Sequence, residues 1–162
     1  LGARPIALTR THDKHALLLK AGAAAVIATS EQDMVAEITQ ATKGEGVHLV
    51  FDPVGGPDVA KLTQVMAPQG MYFQYGALDS RDMQVPVFDI LGKHLTLRGY
   101  ELFEITTDAE KMARAKSFVA AGLRSGKLRP VIDKTFRLED IAEAHRYMEA
   151  NGQVGKIVVT VA

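Results

Sequence analysis

The sequence predicts an α/β chain built on a doubly wound parallel sheet, and three features carry that expectation. Short apolar runs alternate with helix-periodic segments from residue 5 to residue 123. Apolar residues make up 47% of the 162 positions and charged ones 23%, a balance that supports a packed core and argues against disorder. Several of the apolar runs end in turns bearing glycine, where open α/β sheets hold their ligands.

Taken in order, Pro5-Ile6-Ala7-Leu8-Thr9-Arg10 reads as a strand, with Thr11 or Asp13 able to cap the helix that follows. Ala16, Leu17, Leu19 and Lys20 lead to Gly22, a helix with a glycine stop. Residues 24–28 form a second strand. Met34, Val35, Ile38 and Ala41 recur at helical spacing within 31–42, closed by Gly44. Residues 47–52 are the clearest strand of the first half. Pro57 suits the first turn of a helix running to about Met66. Residues 70–77 and 95–100 read as strands, and 108–123 as a long amphipathic helix. After Gly126 the rhythm shortens to strand 131–138, helix 139–150 and strand 156–161. A division between residues 1–125 and 126–162 follows from that change.

Composition limits the function classes. The formal net charge is zero, which gives no basis for nucleic-acid binding, because counterion release needs a clustered basic face. With no cysteine, disulfides and thiolate metal sites cannot form within the chain; a reducing, cytoplasmic setting is compatible with this. No apolar run approaches the roughly 20 residues of a membrane span. Leu1 to Pro5 lack the charged and apolar regions of a signal peptide, and the near-immediate strand reads as a segment of something longer.

Three strand ends stand out as ligand positions: Thr9-Arg10-Thr11, Asp52-Pro53-Val54-Gly55-Gly56 and Tyr75-Gly76-Ala77-Leu78. Each alone is most simply a turn, since a glycine there supplies backbone freedom or close approach. Their common opening toward one sheet edge is the stronger argument. Arg10 is the most informative residue. A site that prefers NAD places an acid at its second strand end, whereas an arginine there suits a 2′-phosphate. Here no acid closes the strand, and Lys14 lies four residues on, so two cations could hold a phosphate by charge-assisted bonds. As plain surface charges they would do nothing of the kind.

The glycine fingerprint G-x-G-x-x-G does not occur; the G-x-G at Gly44-Glu45-Gly46 precedes a strand and is a turn. His12 and His15 have no third ligand at metal-site spacing. Ser80, Ser117 and Ser125 lack a nucleophile-elbow setting. Glu139, Asp140 and Glu143 fit as helix-start acids. No metal site and no catalytic acid or base emerges.

Several segments together resemble one family. Lys20-Ala21-Gly22-Ala23 with Val26-Ile27, the run from Gly44 through Val47, Asp52 and Val54 to Gly56, the stretch 126–132, the helix carrying Ala142-Glu143-Ala144-His145, and Gly155-Lys156-Ile157-Val158 are similar to medium-chain dehydrogenases/reductases. Within it the likeness is to NADPH-dependent quinone oxidoreductases and zinc-type alcohol dehydrogenase-like proteins. The resemblance implies a Rossmann-type cofactor domain whose first strand and glycine loop would precede Leu1, with 126–162 as a tail returning to a separate catalytic domain. That domain would supply proton donors and any zinc ligands.

Carried over residue by residue, the resemblance puts Arg10 and Lys14 at the adenosine 2′-phosphate of NADP. Asp52, Val54 and Gly55, with Tyr75, Gly76, Ala77 and Leu78, would line the nicotinamide and its ribose, largely through backbone. Leu102 and Phe103 would approach the nicotinamide ring, and Asn151 and Lys156 would touch the cofactor from the tail. One departure is Thr29, where several quinone reductases carry a tyrosine near the adenine. The implied function is hydride transfer from NADPH to a small-molecule quinone, enone or carbonyl; the alternative is a nucleotide-binding or scaffold piece without turnover. The 162 residues alone are expected to be close to inactive. Absence of the first strand would leave two half-sheets with open inner edges. Irregular pairing near residues 5–10 is expected from that, and the resemblance implies a homo-oligomer joined along strand 95–100, the last Rossmann strand through which the family often dimerises.

Overall fold

A computed structural model describes residues 2–161. They form two compact units, one reaching to Thr107 and the other starting at Asp108. The first holds β1 (Ile6–Thr9), α1 (His15–Lys20), β2 (Ala25–Ala28), α2 (Met34–Ala41), β3 (Val47–Asp52), α3 (Val59–Gln64), β4 (Met66–Gln74), α4 (Val87–Lys93), β5 (Thr96–Gly99) and α5 (Phe103–Thr106). The second holds α6 (Ala109–Arg124), β6 (Ile132–Arg137), α7 (Ile141–Glu149) and β7 (Lys156–Thr160). The long helix thus falls in the C-terminal unit.

All strand pairs are parallel, as the β-α alternation requires. In the first unit they make two sheets, β1-β2 and β3-β4-β5, with no ladder joining them among the described residues. The expected half-sheets are therefore present, and they do not close on each other. Pairing at β1 is unbroken, Ile6 opposite Ala25 through Thr9 opposite Ala28, which corrects the irregularity expected there. The register shifts lie instead between Val47 and Leu49 and between Ile132 and Lys134.

One core serves both sheets. Ile27 and Ile38 pack in the same cluster as Val50, Val59, Leu62, Met66, Tyr72 and Leu95, with Ile6 and Leu97 against it. Each such side chain contributes about 1.5–3 kcal/mol on burial. Alternation along β3 sends Val50 and Asp52 inward while Leu49 and Phe51 stay 59% and 56% exposed. That outer face carries an aromatic group: Phe51 stacks on Tyr75 at 4.2 Å between ring centroids and lies 6.1 Å from Phe73.

Several boundaries differ from the sequence reading for identifiable reasons. A 3-10 turn, His12–Lys14, precedes α1, and neither Thr11 nor Asp13 caps it through a side chain; the Thr11 hydroxyl donates to Asp13 instead. α2 starts later than expected because Asp33 is its cap, accepting from Val35 and Ala36 N–H. Met66 opens β4 rather than ending α3, since α3 stops after six residues. α4 and α5 are short helices that no periodicity marked. α6 begins as expected, with Asp108 accepting from Glu110 and Lys111 N–H.

In the second unit Phe136 and Ala144 are buried between β6 and α7. The Lys134 ammonium lies over the Phe136 and Tyr147 rings at 4.7 and 4.8 Å, and the Tyr147 hydroxyl donates to Asp133 at 2.7 Å.

Candidate functional site

The loops that leave β3 and β4 are locked side by side. Tyr75 N–H donates to Asp52 carbonyl at 3.0 Å, Leu78 N–H to Pro53 at 3.1 Å and Asp79 N–H to Val54 at 3.0 Å. Gly76 is needed for this approach, because a Cβ there would lie 2.6 Å from the Pro53 carbonyl oxygen. Gly55 is needed for its backbone, with φ of 77°, in the left-handed region.

Beneath the loops lies a buried polar network. The Asp52 carboxylate accepts from Val54 N–H at 2.7 Å, from Gly55 N–H at 3.1 Å and from the Tyr72 hydroxyl. Tyr72 is fully buried, and burial first, then its bond to Asp52, raise its phenol well above the ordinary value. Gln74 Oε1 stands 3.2 Å from the Tyr72 hydroxyl, and Gln74 Nε2 donates to Gly76 carbonyl at 2.6 Å. Asp79 is held by Arg81, whose bonds keep the Asp79 carboxyl down at about 2.

The mouth of β1 is built differently. Arg10 is exposed; its backbone carbonyl accepts from Ser30 N–H at 3.0 Å and from the Ser30 hydroxyl, tying β1's end to β2's end. No acid among the described residues pairs with its guanidinium. Lys14 sits half-buried in the 3-10 turn. His12 bonds Glu31 through both its ring and its backbone N–H, which lowers the Glu31 carboxyl, and His12 stacks on His15 at 5.6 Å. Beyond β2, Thr29, Gln32, Asp33, Asp58 and Lys61 line an open, polar cavity of about 440 Å³.

The structure thus brings Asp52, Val54, Gly55, Tyr75, Gly76, Ala77 and Leu78 together at one place and leaves Arg10 and Lys14 at another strand end of the same unit. Leu102 and Phe103 are 65% and 63% exposed at the start of α5. Asn151 and Lys156 belong to the second unit; Asn151 has φ of 55° just beyond α7, and Lys156 N–H donates to Val131 carbonyl at 2.8 Å. Sequence reasoning missed Tyr72, Gln74 and Asp79. Alternation along β4 would have shown Tyr72 on the same sheet face as Asp52; nothing in the sequence signals that their side chains meet.

Residues 21–159 match the zinc-binding dehydrogenase family. The chain belongs to that family and so to the medium-chain dehydrogenases/reductases. It is 27% identical over 161 residues to the 2-haloacrylate reductase of a Burkholderia species, covering 98% of this chain and 48% of that protein. With L-threonine 3-dehydrogenase of Bacillus licheniformis the identity is 29% over 160 residues, covering 97% and 44%. The structure of Escherichia coli quinone oxidoreductase complexed with NADPH superposes with a TM-score of 0.86 at 25% identity, covering 98% of this chain and 50% of that one. The chain therefore spans half or less of these relatives. Its sheets and helices are those of their Rossmann-like half.

The family name implies zinc, but the donor set here does not fit it. The chain has no cysteine, and no group of three His, Asp or Glu side chains among the described residues could hold a metal. Nor is any helix among them long and apolar enough to cross a membrane.

Proposed function

We propose that this chain is the cofactor-binding part of an NADP(H)-dependent oxidoreductase that passes hydride to a quinone, enone or carbonyl compound. The observation that carries the cofactor choice is Arg10, exposed at the end of β1 with no acid paired to its guanidinium among the described residues. A 2′-phosphate gains charge-assisted bonds from a guanidinium placed there, whereas the ribose hydroxyls of NAD would want a carboxylate. Lys14 adds positive charge one turn further on.

When bound, the dinucleotide supplies the hydride chemistry. This chain's residues bind and orient it. Arg10 and Lys14 hold the adenosine end; the locked loops 53–56 and 75–78 present a fixed backbone to the nicotinamide end. Leu102, Phe103, Asn151 and Lys156 complete the proposed contacts. No group here is assigned proton transfer, and the small-molecule acceptor is left to the rest of the enzyme. Residues 126–162 act, on this reading, as the tail that returns to a catalytic domain. Homo-oligomer formation along β5, whose outer edge carries no ladder partner among the described residues, belongs to the same proposal.

Titration of the Arg10→Ala variant tests the reading. NADPH should bind more weakly by about 1.5–3 kcal/mol, the range of a hydrogen bond to a charged group, with less effect on NADH. Equal loss for both nucleotides would remove Arg10 from the 2′-phosphate.

A further inference from the structure

We infer that Tyr72, Asp52 and Gln74 form a positioning relay that sets the two loops facing the nicotinamide; this rests on the reading above. A buried carboxylate is costly unless its lone pairs are satisfied. Asp52, 7% exposed, takes three donors from its own chain: Val54 N–H, Gly55 N–H and the Tyr72 hydroxyl. Those two amides are therefore committed inward and cannot serve a ligand, so the turn's contribution is its shape. The Tyr72 hydroxyl has one proton. The carboxylate takes it, and Gln74 Oε1 at 3.2 Å holds the weaker share.

Gln74 then passes the constraint to the second loop, where its Nε2 bonds Gly76 carbonyl at 2.6 Å. Fixing that carbonyl fixes its own peptide plane and so aims the Ala77 N–H, which shares it. The N–H groups of Gly76 and Ala77 have no acceptor among the described residues, and they are the donors this loop holds ready. The relay thus ties the turn after β3 to the turn after β4 from below, in addition to the direct backbone bonds above it. Tyr72, Asp52 and Gln74 are positioning residues. None of them need touch the cofactor.

The test compares two probes, NADPH and 2′,5′-ADP, which lacks the nicotinamide half, in titrations of the 162-residue chain. Tyr72→Phe removes one hydroxyl from the core. NADPH should bind about tenfold more weakly, the size of one lost bond to a charged group, while 2′,5′-ADP binding stays the same. Amide exchange at Val54 and Gly55 should speed up in the same variant. Asp52→Asn keeps an acceptor oxygen for only one of the two amides, which bond different carboxylate oxygens, and should weaken NADPH at least as much, with 2′,5′-ADP again unchanged. Gln74→Met, which leaves the Tyr72–Asp52 bond in place, should weaken NADPH alone and guards against a misfolded first variant. Equal weakening of both probes would mean a merely structural network, and unchanged NADPH binding with unchanged exchange would mean no relay; either overturns the inference. Failure of the unaltered chain to bind either probe would instead strike the proposed function, and the relay with it.

Discussion

The two strand mouths of the first unit are built in opposite ways. After β3 and β4, a buried carboxylate, a buried phenol and three inter-loop backbone bonds fix the main chain before anything binds. After β1, the instruments are exposed side chains: Arg10, and a His12–Glu31 pair on the surface. The first mouth invests in folding free energy and presents geometry. The second presents charge, which salt screens and side-chain motion blurs. The contrast suits the proposed cofactor, since a nicotinamide must be placed closely for hydride transfer, whereas a phosphate is well served by cations with some freedom.

The comparison breaks most visibly at Asp52. Asp52→Ala leaves two amides and a buried hydroxyl without their acceptor, and a loss of about 2–4 kcal/mol in urea unfolding is expected. A loss below 1 kcal/mol would show that the network is not satisfying buried groups.

Gly76→Ala is next. Its new Cβ meets the Pro53 carbonyl oxygen, so the loops must part, at a cost of about 1–3 kcal/mol on the same measurement. Gly2→Ala meets nothing within 4 Å; the remaining strain there comes from φ of 78° alone.

The alkaline limb sharpens the contrast. The Tyr72 phenol is raised in the fold, so its contribution is complete below the ordinary value near 10 and is lost as pH climbs past it, because the unfolded chain gives up its proton first. Tyr72→Phe should flatten that limb of a stability-against-pH curve. Tyr147 shifts the same way through Asp133 and remains in both proteins, so flattening should be partial.

The smallest effect belongs to the open mouth. Glu31 is lowered by His12, so whatever the pair contributes is present above the carboxyl's ordinary 4.5 and fades as pH falls below it. His12→Ala should leave the urea midpoint at neutral pH nearly unchanged. A large drop would mean the β1 mouth is as rigidly built as the other.

Much of this was legible in the residues. The alternation of apolar runs marked all seven strands, and Asp108 ahead of an amphipathic run marked α6 to within a residue. The 52–56 and 75–78 loops stood out through glycines whose crowding and backbone angles the structure bears out at Gly76 and Gly55. What lay hidden was pairwise. Tyr72 reads as one more β-strand aromatic, and Gln74 as an ordinary polar residue, until β3 and β4 are laid in register with Asp52 opposite Gln74. α4 and α5 escaped notice because seven and four residues are too few for a helical period to show.

The sequence by itself determined the parallel α/β class, the strand ends where a ligand could sit, and the positive charge without an acid at the end of β1, since these depend on local order along the chain. Only the tertiary structure decided that β1-β2 and β3-β4-β5 remain separate sheets around one core, and that a carboxylate, a phenol and an amide converge beneath two loops. Backbone propensity acts between neighbours in sequence; the ladder of β1 with β2 and the Tyr72–Asp52 bond join residues about 20 apart, and their partners exist only once the chain has packed.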